Sequence, residues 1–346
     1  MCGANLEAPV GRNRDRSGLS LATLNYLEIK QIMDRRSTQQ KKGKLTDAEI
    51  KGLVKEWHDQ RSEGDLNKAV VDREMKIMEA KLEKYNVDQL GVIPLEREDG
   101  TMRIMVCQMG GCAGKEVREI KMSIMERLIQ KYDVNLVACM ELNFNWSKVN
   151  SSANLASWLH QEERETRSIT AHNTQEQDVV SSKHQPGGTG MICRSEFIQY
   201  ARKASVDPRG LGRWCSWQFF CNPKHVSRIV VAYRTCRSKA KGLRTIYQQQ
   251  LRYIQAHNLK CSPVELFDRD LAKQIKEWRK AGDRIVLVMD VNDNPLTSRF
   301  YQQLQKEQTG LEEFTHKCWG PTPPYTHISG SSPIDGGYKS SEIEIV

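Results

Sequence analysis

The sequence predicts an α/β domain from about residue 96 onward, preceded by a charged helical extension over residues 1–95. Three observations predict it. From Met102 short apolar runs alternate with amphipathic stretches, the grammar of strands and helices taking turns. Residues 1–95 are rich in Lys, Arg, Glu, Asp and Gln and nearly free of strand signals. The chain has 346 residues, 38% of them hydrophobic and 27% charged. That is enough apolar material for one sizeable core and too polar a chain to be all core.

In the extension, GRNRDRSG reads as disordered and TQQKKGK as a basic linker. Thr46 and Glu49 have the spacing of a capping box for a helix from near Asp47. Leu53, Trp57, Val70, Val71, Met75, Met78 and Leu82 punctuate a charged helical stretch that SEGD at 62–65 interrupts. Beyond it, MRIMVCQM reads as a strand. A helix over 116–131 places Val117, Ile120, Ile124 and Leu128 on one face. VNLVACME is a buried strand ending in an acid. A Gly-rich turn, HQPGGTG, leads into the strand MICRSEF. RIVVAYRT at 228–235 is another strand. Leu243, Tyr247, Leu251 and Ile254 share a helical face. DLAKQIKEWRKAG is a helix with Leu271, Ile275 and Trp278 inward and Gly282 at its end. RIVLVMD then forms a strand closing on Asp290.

The formal net charge is +9 and the pI about 9.0, which suits a polyanionic partner, since phosphate contacts supply most sequence-independent affinity for nucleic acid. Ten cysteines are scattered without a CxxC pair, as in an intracellular protein with reduced thiols, nuclear or cytoplasmic. Cys215, Cys221 and His225 match no common zinc module. No apolar stretch reaches the length of a membrane span, and the N-terminus lacks the apolar core of a secretory signal.

Several apolar runs end abruptly in a polar group: Gln108 after MVC, Glu141 after VACM, Tyr233 in VVAY, Asp290 after IVLVM with Asn292 two residues on, and Asp335 in SPIDGGY. A rigid strand can hold a charged group at a cleft edge, and α/β sites gather where strands end. Any one of these acids is equally an ordinary cap or turn residue, as DVNDNP shows. Their order along the chain is the informative feature.

In that order the sequence resembles the endonuclease/exonuclease/phosphatase superfamily over about residues 102–346. The QPGGTG turn and the helix before the Asp-x-Asn strand are most similar to the endonuclease domains of non-LTR retroelements. The resemblance implies a two-sheet α/β sandwich and metal-dependent hydrolysis of a phosphodiester in nucleic acid, DNA first. It implies Mg²⁺, with Mn²⁺ as a substitute, held by Glu141. Asp290 would orient or deprotonate the attacking water and Asn292 would donate to the phosphate. Tyr233 would bond a phosphoryl oxygen and Asp335 would orient a histidine. Three departures stand out. The family's Asn after the first strand is replaced, with Gln108 the nearest amide. YRTC lacks the usual proline. The closing Asp-His pair is not reached before Val346, since His316 and His327 precede Asp335. EIEIV reads as the start of a further strand, so the resemblance implies a C-terminally truncated domain with an exposed sheet edge. Loss of one preorganised group of the histidine's kind costs on the order of 100- to 1000-fold in rate. A phosphatase of the same fold and a non-catalytic nucleic-acid or protein-binding remnant are the alternatives. A reverse transcriptase further along the reading frame would fit the retroelement reading.

Two basic groups remain. Lys239, Lys241 and Arg244 follow the Tyr233 strand; Arg202, Arg209 and Arg213 flank Trp214 and Trp217 in RWCSWQFF. They read equally as a DNA-binding surface or as core tryptophans beneath a solvated charged face.

Overall fold

The computed structural model describes residues 97, 100–150, 153–159, 166–176, 183–222, 225–239, 242–320 and 333–345. The expectations for residues 1–95, Lys241 and His327 lie outside them. Two sheets form the body. The first has strands β1 (Ile104–Gln108), β2 (Leu136–Met140), β3 (Thr166–Ala171) and β4 (Thr189–Arg194) in the order β1-β2-β4-β3. The second has β5 (Ala201–Val206), β6 (Trp214–Asn222), β7 (His225–Tyr233), β8 (Arg284–Asp290), β9 (Leu311–Glu313) and β10 (Asp335–Ser340) in the order β5-β6-β7-β8-β10-β9. Both are mixed: β1 with β2 and β7 with β8 run parallel, the other pairings antiparallel.

Side chains alternating along each central strand divide the core into layers. Leu136, Ala138 and Met140 of β2 meet Ile229, Val231, Tyr233, Val286 and Val288 of the second sheet between the sheets. The intervening Val137 and Cys139 turn outward, onto Met122, Met125 and Ile129 of helix α1 (Lys115–Lys131). On the other side Val230, Ala232, Ile285, Leu287 and Met289 pack against Phe267, Leu271 and Ile275 of a second outer helix. The result is the two-sheet α/β sandwich expected from the resemblance, with helices on both outer faces.

The helices depart from expectation in instructive ways. The buried face of α1 is Met122, Met125, Leu128 and Ile129, while Val117 is 44% exposed. Methionine, flexible and unbranched, fills the gap under β2 that a branched stripe was expected to fill. Helix α2 (Ile246–Ala256) starts after Leu243, capped by Thr245, and buries Gln249 and Gln250 beside Ile246 and Ile254. Helix α3 (Pro263–Lys280) begins seven residues before the DLAKQ segment. Ser262 and Glu265 form a reciprocal capping box, Ser262 N donating to Glu265 at 2.8 Å and Glu265 N to the Ser262 hydroxyl at 3.2 Å, with Pro263 in the first turn. Helices α4 (Arg299–Lys306) and α5 (Thr315–Trp319) follow.

Residues 342–345 form no strand, and Ile345 is exposed, against the expectation for EIEIV. Nor is β10 an edge: it pairs with β8 on one side and β9 on the other. Cys215 is fully buried in the intersheet core, and the side chain of Cys221 lies outside the described residues. Among the described residues, no helix is long and apolar enough to cross a membrane.

Candidate active site

One row of strand ends gathers the polar residues singled out in the sequence. In the first sheet Gln108 pairs in register with Met140, and Glu141 follows directly. In the second, Tyr233 is opposite Asp290 across the parallel ladder, and Asp335 is opposite Asp290 across the antiparallel one. The sheets meet here. Gln108 Nε2 donates to Glu141 Oε2 at 2.9 Å and to Asp290 Oδ2 at 3.0 Å, tying a carboxylate of one sheet to a carboxylate of the other. The Asp290 backbone N–H in turn points at the Met140 sulfur, 2.9 Å away.

Left-handed backbone sets the side-chain directions. Glu141 has φ +53° and Asn292 φ +50°. Glutamate rarely adopts this region, so the loop must hold it there. Gly111 N donates to Glu141 O at 2.9 Å, and Leu142 N and Asn143 N donate to Gly188 O and Gly187 O at 3.2 and 2.7 Å. The Asn143 side chain accepts from Gly187 N at 2.6 Å and also hydrogen-bonds Glu141. The QPGGTG turn thus acts as a brace. Gly187 and Gly188 have φ of +81° and +87°, and a Cβ on Gly187 would stand 2.3 Å from Ile246 Cδ1.

After β8 the chain makes an Asx turn: Asn292 N donates to Asp290 Oδ1 at 2.8 Å. Asn292 lies beyond the strand, in the left-handed turn that follows it. Its Nδ2 donates to Arg234 O at 2.6 Å, and its amide hydrogen-bonds the Tyr233 hydroxyl. Asn292, which the resemblance has donating to the phosphate, is held here by Arg234 O. Gln108 likewise spends both N–H groups on carboxylates. Gln108, the amide nearest to the place of the family's Asn, thus bridges the two carboxylates.

Burial dominates the electrostatics. Asp290 is pushed well above the usual carboxylate range by burial, then by Asp335 and Glu141 nearby. Burial raises Glu141, with Asn143 and Lys121 opposing. Tyr233 is held well above its ordinary value by burial and by the Glu141 and Asp290 charges, and stays a protonated donor. Lys121 is the near cation, but its ammonium is turned to the Met109 and Gly111 carbonyls, the latter at 2.8 Å, and burial lowers it. The donor set fits a hard divalent ion: carboxylate oxygens plus the Gln108 Oε1, buried without a partner.

The structure brings together Gln108, Glu141, Tyr233, Asp290, Asn292 and Asp335. It does not bring a described histidine onto Asp335 through the expected residues: His316 lies 3.1 Å from Glu313. His172 follows Ala171, whose ladder row runs through Thr189 and Met140 to Gln108, and its Nε2 is buried without a protein partner. Sequence reasoning missed Lys121, Asn143 and Arg234. Only Arg234, next to Tyr233, stood where a motif could have pointed.

The basic cluster around RWCSWQFF resolves against a DNA surface. Arg213 is fully buried between Asp207 and Asp270, and Arg209 pairs with Asp270 at 2.5 Å. Trp214 and Trp217 are core residues. Arg202, Lys239 and Arg244 are exposed.

No known family profile matches the chain, and no curated protein is similar to it in sequence. Solved structures share its outline. The human Nocturnin catalytic domain with bound sulfate is 14% identical, over 69% of this chain and 82% of that one, with a TM-score of 0.45. The Neisseria 3′ phosphatase NExo bound to a product DNA hairpin is 12% identical, over 70% and 87%, with a TM-score of 0.44. An endonuclease/exonuclease/phosphatase family protein from Bacteroides thetaiotaomicron is 8% identical, over 69% and 80%, at 0.38. The fold class given above rests on the sheet orders and registers themselves.

Proposed function

We propose that the chain is a Mg²⁺-dependent phosphodiesterase acting on nucleic acid, DNA before RNA, in the manner of a retroelement endonuclease. The observation that supports this most is the Gln108 amide joining Glu141 of one sheet to Asp290 of the other, with Asp335 opposite Asp290, which sets oxygen donors side by side at one row of strand ends. Glu141, with Asp290 beside it, would hold Mg²⁺ or Mn²⁺. Bound there, the cation would offset negative charge on the phosphoryl oxygens and acidify a water. Asp290, which binds protons more tightly than an ordinary carboxylate, would orient the attacking water and take its proton. Tyr233 accepts from Asn292 and so has its own proton to give to a phosphoryl oxygen. Asp335 adjoins Asp290 and steadies the proton held there. Arg237, Lys239 and Arg244, exposed on the segment after Tyr233, suit a polyanion close to the site.

The test is nicking of supercoiled plasmid with Mg²⁺, Mn²⁺ or EDTA, beside Asp290→Ala and Glu141→Gln. Metal-dependent nicking that falls at least about 100-fold in either variant is the expected result. A folded wild-type chain that nicks with neither metal overturns the catalytic reading and leaves the binding remnant.

A further inference from the structure

Arg234 stands immediately after Tyr233 and is almost wholly buried. Its guanidinium forms a two-point fork with Asp268 of α3, Nε to Oδ1 at 2.7 Å and Nη2 to Oδ2 at 3.0 Å. Nη1 donates to Val291 O at 3.0 Å and lies 3.7 Å from Asp293 Oδ2. The backbone of the same residue grips the same turn: Arg234 N donates to Asp290 O at 3.0 Å, and Arg234 O accepts from Asn292 Nδ2 at 2.6 Å. One residue therefore touches Asp290, Val291, Asn292 and Asp293 in succession. A buried ion pair is a poor way to gain stability, because desolvation of both charges offsets most of their attraction, and an apolar pair of similar volume serves the fold as well. What the fork offers is direction, since a planar guanidinium fixes several partners at once.

We propose that Arg234 and Asp268 are positioning residues for the reaction: the pair anchors the turn after β8 to α3, and through Asn292 sets the Tyr233 hydroxyl. This inference rests on the phosphodiesterase reading for its kinetic consequence, but its structural content stands alone. The route runs from Asp268 to Arg234, to the turn carbonyls and amides, to the Asn292 amide, to Tyr233. Neither Arg234 nor Asp268 needs to touch substrate.

Three variants test it. Arg234→Lys keeps the charge and loses the fork. Asp268→Asn keeps the shape and loses the charge, and risks misfolding because it leaves Arg234 uncompensated. The double variant Arg234→Met/Asp268→Leu removes both charges and keeps the volume, so the fold survives. In plasmid nicking, Arg234→Lys and the double variant should lower kcat about 10- to 100-fold with KM unchanged, the size expected for misplacement of a reacting group by about an ångström. In an Asn292→Ala background the double variant should lower kcat no further, because the pair acts through Asn292. Amide exchange reads the same device without catalysis. The Val291 and Asn292 N–H groups, bonded to Ile334 O and Asp290 Oδ1 at 2.8 Å each, should exchange faster in the double variant, with β2 unchanged. Wild-type kcat in the double variant, or losses that add in the Asn292→Ala background, would overturn the proposal. Should the wild type not nick, the functional reading fails and amide exchange decides: faster exchange confined to the turn supports the anchor, and unchanged exchange refutes it.

Discussion

Replacing Arg213 separates the two readings of the basic tryptophan segment by magnitude. Arg213 has no exposed side-chain surface; Nε meets Asp207 Oδ2 at 2.6 Å and Nη2 meets Asp207 Oδ1 and Asp270 Oδ2 at 2.9 and 3.0 Å. Its guanidinium also lies 4.5 Å from the Trp214 ring centre, and its carbonyl accepts from Tyr233 N at 2.9 Å. Arg213→Met leaves the Asp207 carboxylate, 1% exposed, with only backbone donors. Breaking a buried pair from one side costs about 3–5 kcal/mol. At about 2–4 °C per kcal/mol for a domain of this size, the melting temperature should fall by about 6–20 °C. Adding Asp207→Leu removes the stranded charge and should recover most of that loss. Because Arg213 reaches no solvent, the slope of log affinity for a labelled duplex against log salt should not change, whereas loss of a phosphate contact would reduce it by about one. Calorimetry and fluorescence anisotropy over a salt series measure the two. A melting point within about 2 °C of wild type together with a shallower salt slope would refute the burial argument and restore Arg213 to a DNA surface.

Two further outcomes follow from charge. Asp290→Asn should abolish nicking yet stabilise the metal-free fold, by about 1–2 kcal/mol as for other relieved active-site strains. The folded state holds the Asp290 proton more tightly than the unfolded chain does, so wild-type stability falls as pH rises from about 4 through the raised folded value. The variant's advantage in melting temperature should be absent near the lower end and grow toward neutrality; a constant difference across pH would contradict it. Glu265 runs the other way: the Ser262 backbone N–H first, then Arg299, hold its pKa down to about 2. Its contribution is full above about 4.3, the unfolded value, and disappears as pH falls through about 2. With the side chain 35% exposed, Glu265→Gln should cost under about 1 kcal/mol at neutral pH, read by denaturant titration, and nothing at the acid end.

The strands legible in the sequence were those written as apolar runs. β2, β7 and β8 are continuous apolar runs because alternate residues feed different cores, Val230 one and Val231 the other. β3 and β5 went unread because their apolar pattern is broken by residues such as Arg167, Arg202 and Lys203 in exposed positions. β6 was masked by Arg213 and by the polar residues of WCSWQFFCN, because nothing in a sequence distinguishes an arginine in solvent from one neutralised by Asp207 and Asp270. The site was legible to the same extent and for the same cause. Glu141 and Asp290 announce themselves as acids ending buried runs. That Gln108 would span them could not be read, since its two acceptors come from different sheets, 33 and 182 residues away.

The same span explains why the site and the fold are hard to separate. Neither sheet holds a complete set of polar groups. The first supplies Gln108 and Glu141, the second Tyr233, Asp290, Asn292 and Asp335, and the set exists only when the sheets close face to face. Closing them buries carboxylates that repel one another, and left-handed backbone at Glu141 and Asn292 adds a cost of about 1–3 kcal/mol at each. The compensation is local and polar: the Gly187–Gly188 brace on one side, the Asx turn and its Arg234 anchor on the other, and the Gln108 bridge between them. A fold selected for stability alone would place apolar residues at this seam, as it does one residue earlier at Met140 and Met289. That polar residues sit there, held by the Gln108 bridge and the two braced turns, is what separates a site from a poorly packed edge.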